Sequence, residues 1–368
     1  MAEMFRFADD LGPDQIVHIT EPRLGLRAIL VVDNVAAGPA IGGCRMAPDV
    51  SVGECFRLAR AMTLKNAAAG LAHGGGKSVI FGDPRMPDSE KERHIRALAR
   101  AIGDIKDYIV GPDMGTNESC MAWAKDEIGR SVGLPRETGG IPLDEIGATG
   151  FGLAAAAEVA QDFCGVEIDG ARLAIQGYGS VGRHGARFLV EKGAILVGAS
   201  DSRGTVVNAD GLDLEALDEL KRAGKSVADL GTGGKGDRQA IIDVACDIWI
   251  PAARPDVIRS ENVDRLDAKL VLQGANIPIT AEAETRLHQR GVLSLPDFIA
   301  NAGGVICAAV EYAGGTQSQA LQAIEEKITR NTREVLDLAR ESGSTPRTAA
   351  VDMAEKRVRA AMGYRRMF

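Results

Sequence analysis

Hydrophobic residues in the first part of the chain are arranged as short strands around one long helix. An apolar, strand-like run covers 26–32, and a Gly- and Pro-rich stretch follows at 38–43. From 52 to 71 apolar residues recur at helical spacing, so that one face of a helix would be buried. A triple-glycine turn at 74–76 ends this helix, and a β-like run follows at 78–81. This pattern predicts an α/β domain.

Beyond a Gly- and Pro-dense segment at 129–152, taken as the passage between domains, helices alternate with buried strands. Helices are predicted at 153–164, from the segment GYGSVG to about 192, and over the last forty or so residues. Short apolar runs, interpreted as strands, lie at 171–176, 194–200, 247–250, 269–272 and 292–295. Strands separated by helices indicate a parallel sheet with crossover helices.

Composition and charge exclude several classes of protein. The 368 residues are 45% hydrophobic and 26% charged, which suits two domains with cores of their own. A net charge of −8 leaves no basic surplus for nucleic-acid phosphates, and no apolar run is long enough to span a membrane. Six scattered cysteines without a CxxC pair, and five histidines without metal-ligand spacing, favour a cytoplasmic protein with reduced thiols and no metal site.

A glycine-rich motif, GYGSVG, lies between a predicted strand and a predicted helix. Gly177 would permit a tight turn, Gly179 would let the backbone approach a pyrophosphate, and Gly182 would let the helix pack closely on the sheet. Free N–H groups at the start of the helix, where Ser180 and Val181 lie, would bind the phosphates. The context therefore predicts a dinucleotide site. A plain glycine turn is the alternative.

Asp201 bears on the choice of dinucleotide. It follows Gly182 by 19 residues at the end of the next predicted strand, where a carboxylate can accept both ribose hydroxyls. A carboxylate repels a 2′-phosphate and so favours NAD. Arg203 lies two residues further on and could tolerate that phosphate, so NADP remains possible. Ser202, between them, is included in the expected cofactor site.

Two lysines lie among small and apolar residues in the segment MTLKNAAAGLAHGGGK. Lys65 lies one helical turn after Met62, and the triple-glycine turn places Lys77. A charged side chain in such surroundings is costly unless it has a function or a partner. One lysine could hold a substrate carboxylate and the other act as a general base. The alternative is two surface lysines that flank a loop.

Together with other motifs, this segment resembles the glutamate/leucine/phenylalanine/valine dehydrogenase superfamily. The other motifs are GPAIGGCRM before it, GPDMGT at 111–116, GYGSVG, PDFIANAGGV at 296–305 and AAVDMAEKRV at 349–358. The resemblance extends from about residue 15 to the C-terminus. The N-terminal half is closest to leucine dehydrogenases, whereas segments such as QGANIPIT in the second half look more like glutamate dehydrogenases. The resemblance implies NAD- or NADP-dependent oxidative deamination of an L-amino acid to the 2-oxo acid and ammonia.

The resemblance also implies roles for individual residues. The lysine matching Lys65 binds the substrate α-carboxylate, the lysine matching Lys77 is the catalytic base, and the aspartate matching Asp113 carries protons. The expected substrate site is completed by five further residues: Ile41, Gly42, Met62, Val305 and Ala308.

The nicotinamide end of the cofactor would contact three residues. Thr149 matches a threonine that hydrogen-bonds the nicotinamide amide, and Asn276 and Asn301 match residues that line the nicotinamide ribose. For each asparagine, simple capping of a turn is the alternative interpretation.

Two substitutions bear on the substrate. Glutamate enzymes of the superfamily carry a lysine at the position of Ile41, which grips the side-chain carboxylate, and a serine at the position of Ala308. Because a buried γ-carboxylate without partners would cost several kcal/mol, we expect an apolar substrate such as leucine, valine or phenylalanine.

Two other interpretations of the function remain open. The protein could be a glutamate dehydrogenase in which His73 or Arg45 holds the γ-carboxylate, or a catalytically inactive dinucleotide-binding sensor. His73, at a position that is usually apolar in the family, could contact substrate, tune Lys77, or be a satisfied structural histidine.

The expected fold is α/β with two domains. Residues 1–145 would form the substrate-binding and catalytic domain, and 146–325 a Rossmann-type dinucleotide-binding domain. Residues 326–368 would form C-terminal helices that pack back on the first domain. Because the superfamily consists largely of homo-oligomers, a homo-oligomer is expected here.

Overall fold

Two β-sheets, each with its own helices, organise the chain in the computed structural model, which describes residues 5–365. The first unit contains the chain up to Leu143, Val305–Ala323 and the chain from Val351 onwards. The second unit contains Asp144–Gly304 and Ile324–Ala350. This architecture confirms the two-domain α/β fold class expected from the sequence. Residues 1–4 and 366–368, at the ends of the expected first domain and C-terminal helices, lie outside the described part.

The first unit is built on a five-stranded sheet in the order β1-β2-β4-β3-β5. Its strands are β1 (Gln15–Glu21), β2 (Leu26–Asn34), β3 (Ala40–Ala47), β4 (Gly75–Phe81) and β5 (Tyr108–Pro112). Its helices before the first boundary are α1 (Val52–Ala68), α2 (Asp88–Ala101) and α3 (Glu118–Ile128). β3 is parallel to both β4 and β5, whereas β2 is antiparallel to both of its neighbours, β1 and β4. Three parallel strands therefore lie side by side at one end of the sheet.

The Gly- and Pro-rich stretch at 38–43, for which the sequence predicts no strand, contains the start of the central strand β3. Gly42 and Gly43 do not favour a strand by propensity. They are nevertheless paired in the sheet. The neighbouring strands approach so closely here that there is no room for a side chain. A Cβ at Gly42 would lie 1.7 Å from the carbonyl oxygen of Gly76 on β4. Tertiary packing therefore decides this strand.

The second unit is built on a seven-stranded sheet in the order β12-β11-β10-β6-β7-β8-β9. Its strands are β6 (Arg172–Gln176), β7 (Ile195–Ser200), β8 (Thr205–Val207), β9 (Gly234–Gly236), β10 (Ile248–Pro251), β11 (Leu270–Leu272) and β12 (Leu293–Leu295). Its helices are α4 (Ala148–Cys164), α5 (Ser180–Val190), α6 (Leu214–Arg222), α7 (Ala281–Gln289) and α8 (Asp297–Ala300). Three further helices supply segments to both units: α9 (Gly303–Tyr312), α10 (Gln317–Ser342) and α11 (Pro346–Tyr364).

The predicted parallel sheet with crossover helices is confirmed. Strands β7, β6, β10, β11 and β12 are parallel, and β8 and β9 extend the sheet antiparallel at one edge. From β6 the chain goes by α5 to β7 on one side, and later returns to β10 on the other. This reversal of strand order is the switch point at which Rossmann-type sheets bind dinucleotides, beyond the carboxyl ends of the strands.

Within residues 5–365, no helix combines the length and the apolar character needed to cross a bilayer.

Candidate active site

Lys77 and Asp113 meet across the parallel strands of the first unit. Lys77 is on β4 and Asp113 follows the last residue of β5, with β3 between the two strands. The Lys77 Nζ lies 3.0 Å from Asp113 Oδ1, and the lysine side chain is only 5% exposed. A buried ammonium is costly unless it is paired, so the contact with Asp113 is what makes this position tolerable. The pair can exchange a proton directly.

Gly43 makes this contact possible. It lies on β3 between the two strands that supply the pair, and a Cβ there would come within 2.7 Å of the Asp113 Cβ and 3.2 Å of the Lys77 Nζ. Any other residue would separate the lysine from the aspartate. Sequence reasoning missed this position, although GPAIGGCRM was noted as a motif. The available signal was the pair of adjacent glycines, Gly42 and Gly43, shortly before Arg45.

Arg45 is the second residue that sequence reasoning did not place in the catalytic cluster. Its Nε donates to Asp113 Oδ2 at 2.7 Å, and its guanidinium also pairs with Glu54 Oε1 at 2.6 Å. Asp113 therefore lies between two cations. Burial acts to raise the pKa of Asp113, but Lys77 and Arg45 outweigh it and hold that pKa below its usual range. Asp113 is a carboxylate near neutral pH.

Lys65 lies in the last turn of α1, where it is buried. The neighbouring Asn66 donates through Nδ2 to the Gly74 carbonyl at 2.6 Å, so it fixes the turn that leads into β4. Arg357, from α11, donates to the Ala68 carbonyl at 2.5 Å and caps the same helix. The end of α1 is thereby held in place in the first unit. Met62, one turn earlier, is half-buried.

Ile41 and Ala308 lie in one apolar cluster of the first unit. The cluster also contains Ile109 on β5 and Val132, and all four side chains are buried. Successive residues of a strand alternate between its faces, so Ile41 and Arg45 lie on the same face of β3 with Gly43 between them. That face is apolar at one end and charged at the other.

Glu311 fixes the helix that carries Ala308. Its carboxylate accepts backbone N–H bonds from Gly133 at 2.8 Å and Ile141 at 2.7 Å, all within the first unit. Burial raises the pKa of Glu311, and the backbone donors oppose that rise. α9 is thus attached to the segment 133–141. Val305, in the first turn of α9, is half-buried.

His73 is engaged with protein atoms. Its Nδ1 lies 3.0 Å from the Pro39 carbonyl oxygen, and its ring packs edge-on against Tyr312 with the ring centres 5.8 Å apart. Burial lowers the pKa of His73, so the ring is neutral near neutral pH. These contacts favour the structural interpretation of this histidine over the two functional ones.

The residues of the GYGSVG loop fit a dinucleotide. Gly177 has φ +99°, and a Cβ there would lie 2.6 Å from that of Ala253. A Cβ at Gly182 would lie 2.1 Å from the Gly177 carbonyl oxygen, so the helix and strand need both glycines. Gly179, by contrast, faces open space. It precedes α5, whose first N–H groups have no side-chain cap. This arrangement leaves a place for a pyrophosphate.

Three predicted contacts of the nicotinamide end come together in the second unit. Asn301 Nδ2 donates to the Gly274 carbonyl at 3.2 Å and to Asn276 Oδ1 at 3.1 Å. Gly303 packs against the start of α4, so closely that its Cβ would lie 3.2 Å from the Cα of Thr149. The two asparagines and the threonine therefore lie in one region beyond the carboxyl ends of the strands.

Asp201 is surrounded by donors of its own unit. Oδ1 accepts from Ser226 Oγ at 2.7 Å and from the Arg203 N–H at 2.9 Å. Oδ2 accepts from Lys221 Nζ at 2.9 Å and from the Val227 N–H at 3.0 Å. Burial opposes ionisation, but these donors lower the pKa of Asp201 to about 2. Ribose hydroxyls would have to displace a donor, and Lys221 offsets the charge that would repel a 2′-phosphate. Ser202, beside it, is exposed.

The family of the chain follows from its sequence matches. Residues 139–366 match the family described as Glutamate/Leucine/Phenylalanine/Valine dehydrogenase, and residues 13–130 match the Glu/Leu/Phe/Val dehydrogenase, dimerisation domain. The chain belongs to this dehydrogenase family. The resemblance inferred from the motifs is therefore confirmed.

Similar dehydrogenases include proteins of archaea. A protein of Aeropyrum pernix named glutamate dehydrogenase is 38% identical over 356 residues, which cover 90% of this chain and 85% of that protein. An NADP(+)-dependent glutamate dehydrogenase of Pyrobaculum calidifontis is also 38% identical, covering 91% of this chain and 85% of its own length. These matches span both halves, so the likeness of the N-terminal half is not confined to leucine dehydrogenases.

A solved dehydrogenase structure is also similar over almost the whole chain. The hetero-hexameric glutamate dehydrogenase of Thermus thermophilus, in a leucine-bound form, superposes with a TM-score of 0.87 at 26% identity, covering 97% of this chain and 91% of that one. The chain is thus an amino-acid dehydrogenase. It oxidatively deaminates an L-amino acid and uses NAD or NADP as the hydride acceptor.

Proposed function

We propose that the substrate is an L-amino acid with an apolar side chain, of the leucine, valine or phenylalanine type. The observation that supports this proposal is the apolar cluster around Ile41 and Ala308. An ionised γ-carboxylate placed against these side chains would lose its hydration without gaining a partner, at a cost of several kcal/mol. A branched or aromatic side chain would instead bury apolar surface.

In the proposed mechanism Lys65 binds the α-carboxylate of the amino acid. A nicotinamide held by Thr149, Asn276 and Asn301 would supply the acceptor for the hydride of the substrate Cα. The amino group loses a proton to solvent in the same oxidation, so that the substrate becomes a protonated imine. Lys77 passes its proton to the Asp113 carboxylate, 3.0 Å away, and the neutral amine then removes a proton from a water molecule as that water attacks the imine carbon. The protonated Asp113 gives its proton to the departing amine and takes up the hydroxyl proton as the carbonyl bond forms. Ammonia and the 2-oxo acid are released.

The proposed cofactor site is formed by residues of the second unit. Gly179 and the start of α5 would hold the pyrophosphate, and Thr149, Asn276 and Asn301 the nicotinamide half. The donors around Asp201 support acceptance of NADP as well as NAD, because its carboxylate is already balanced by Lys221.

Glutamate is the second candidate substrate, favoured by the names of two similar proteins. It would need a cation for its γ-carboxylate. Arg45 already pairs with Asp113 and Glu54, and His73 contacts Pro39 and Tyr312. The γ-carboxylate would therefore have to share Arg45 with two carboxylates, or bind a histidine that already contacts two protein groups.

We further propose that the chain forms a homo-oligomer. The N-terminal match to a dimerisation domain supports this, as does the position of β1 at the edge of its sheet.

Absorbance of the reduced nicotinamide tests the substrate proposal. Purified protein is assayed with NAD+ and NADP+ against leucine, valine, phenylalanine, glutamate and alanine. We expect kcat/KM for an apolar substrate to exceed that for glutamate by roughly tenfold or more. Lys77→Met should abolish turnover while cofactor binding persists.

Ile41→Lys provides the decisive variant. It should raise glutamate turnover and lower turnover of the apolar substrate, because it supplies a γ-carboxylate partner and polarises the cluster. The matched control Ile41→Leu should keep the original preference. Turnover of glutamate alone by the unaltered protein would contradict the substrate proposal but leave the reaction intact. Turnover by Lys77→Met would contradict the proposed base.

A further inference from the structure

Arg347 lies at the centre of a polar network in the second unit. It is the second residue of α11, far along the chain from the proposed cofactor residues. Its guanidinium pairs with Glu284, donates to Gln273 Oε1 at 2.9 Å, and donates to Asp297 Oδ1 at 2.9 Å. The two carboxylates are 7% and 8% exposed, and Gln273 is fully buried.

The network holds both ends of the segment 273–277, which carries Asn276. At one end Arg347 binds the side chain of Gln273 directly. At the other end Asp297 Oδ2 accepts the Ile277 N–H at 2.9 Å while its Oδ1 faces Arg347. The arginine therefore contacts one end of the segment directly and reaches the other end through a single carboxylate.

The segment needs such support because its backbone is strained. Ile277 has φ +50°, a left-handed conformation that is rare for a β-branched residue. Such a residue persists only where its surroundings fix it, and these sites cluster where ligands bind. The hydrogen bond from Ile277 to Asp297 supplies that fixation here.

Asp297 also connects the network to Asn301. Its carbonyl accepts the Asn301 N–H at 2.7 Å, and Asn301 Nδ2 in turn contacts Asn276 Oδ1 at 3.1 Å. Both asparagines proposed to line the nicotinamide ribose are thus attached to Asp297, whose partner is Arg347. Asn301 is attached through the backbone carbonyl of Asp297, and Asn276 through its neighbour Ile277, whose N–H the carboxylate accepts.

Stability alone is a weak reason for such a network. A buried ion pair often stabilises a fold no better than apolar residues of similar size, because its charges lose their hydration. The planar guanidinium, however, contacts three side chains in a fixed geometry, which a lysine cannot reproduce. The arrangement therefore fixes the relative positions of these three side chains.

We propose that Arg347 is a positioning residue for the nicotinamide half of the cofactor, acting through Gln273 and Asp297 on the segment that carries Asn276. This inference rests on the proposed cofactor role of Asn276 and Asn301. The adenosine and pyrophosphate half would be held elsewhere, by the GYGSVG loop and the neighbourhood of Asp201, which the network does not contact.

Two ligands distinguish the two halves. Fluorescence titration or calorimetry measures the Kd of the reduced dinucleotide that the unaltered protein binds more tightly, and the Kd of ADP, which lacks the nicotinamide nucleotide. In Arg347→Met the Kd of the dinucleotide should rise at least about tenfold, while the Kd of ADP stays within about twofold. Arg347→Lys, which keeps the charge opposite the carboxylates, should show the same selective loss to a smaller extent. This second variant serves if Arg347→Met does not fold.

Arg333→Met is the matched control. Arg333 also lies in the C-terminal part of the second unit and pairs with Asp162 at 2.9 Å, but it has no contact with the segment 273–277. It should leave both Kd values unchanged. Equal weakening of the dinucleotide and ADP, or no weakening of the dinucleotide, would overturn the inference alone. An unaltered protein that binds no dinucleotide would overturn the cofactor proposal as well.

Discussion

A single carboxylate lies between two cations in the proposed catalytic site. Lys77 faces one oxygen of Asp113 and Arg45 faces the other. Because each oxygen of the carboxylate faces one cation, Asp113 stays ionised although it is buried. The oxygen that faces Lys77 is available for proton exchange with the lysine. Arg45 itself is fixed by Glu54, in the first turn of α1. The charge of the Lys77–Asp113 pair therefore depends on Arg45, which lies outside the pair.

Arg45→Met tests this dependence. With one cation removed, burial of Asp113 opposes its ionisation and only Lys77 counters it, so the pKa of Asp113 rises. A higher pH is then needed to keep the carboxylate charged. We expect the acidic limb of the kcat/KM profile to move to higher pH and kcat to fall roughly tenfold. Steady-state rates measured across the pH range check both effects.

The control for that experiment is Arg57→Met, which removes an exposed arginine of α1. It should leave the profile unchanged. An acidic limb that stays in place in Arg45→Met would show that the arginine does not govern Asp113.

At the scale of elements, β3 is important because two of its residues, Gly42 and Gly43, have no side chain. Gly42 lets β4 approach and Gly43 leaves the space in which Lys77 meets Asp113. Between β4 and β5, the strand β3 thus leaves a space at the position where Lys77 meets Asp113. Residues on either side of the gap, Ile41 and Arg45, then define its apolar and charged ends.

Gly43→Ala is the prediction at this scale. The added methyl group would meet the Asp113 Cβ and the Pro112 carbonyl oxygen, both at 2.7 Å, so the aspartate must move away from the lysine. We expect kcat to fall roughly a hundredfold, because a displacement of about 1 Å can cost that much. Kinetics and melting temperature together separate lost catalysis from lost folding.

Gly53→Ala is the matched substitution on α1. There the new Cβ would have only ordinary contacts, the nearest being Phe7 at 3.8 Å. Alanine favours a helix over glycine by roughly 0.5–1 kcal/mol, so this variant should be at least as stable as the parent and equally active. Full activity in Gly43→Ala would contradict the geometric argument.

Sequence reasoning predicted the elements that have a strong local pattern. The apolar run of β2, the periodic helix α1 and the strand–glycine–helix unit around α5 all formed as elements near the expected positions. It missed β3, because two glycines and a proline give no strand signal and only register with β4 and β5 creates the strand. The interpretation of 129–152 as a passage likewise left out the first turn of α4.

The residues of the candidate site likewise include some that a local sequence pattern predicts and others that it does not. Lys65, Lys77 and Asp113 are carried by continuous motifs, so their types could be read from the sequence. Arg45 and Arg347 act through partners that are distant along the chain, at separations of 68 residues to Asp113 and 50 to Asp297. No local pattern encodes such pairs. Only the folded structure reveals them.

For the whole molecule, the prediction concerns assembly. The strand β1 lies at the edge of its sheet, and an edge strand offers unpaired backbone groups to a second chain. We expect light scattering after gel filtration to give a mass that is a whole multiple of 38.8 kDa, and greater than one chain. A mass equal to one chain at assay concentration would contradict the proposed homo-oligomer.

The division of the chain also sets an order of events during synthesis. All strands of the second sheet lie in the continuous stretch 172–295, and they leave the ribosome together. The first sheet emerges earlier, yet Ala308 and Arg357, which cover the apolar cluster at Ile41 and cap α1, emerge long after it. Nascent domains fold as soon as their parts are available. The unit whose sheet is translated first is therefore completed last, and its apolar cluster at Ile41 lacks Ala308 until the second sheet has been translated.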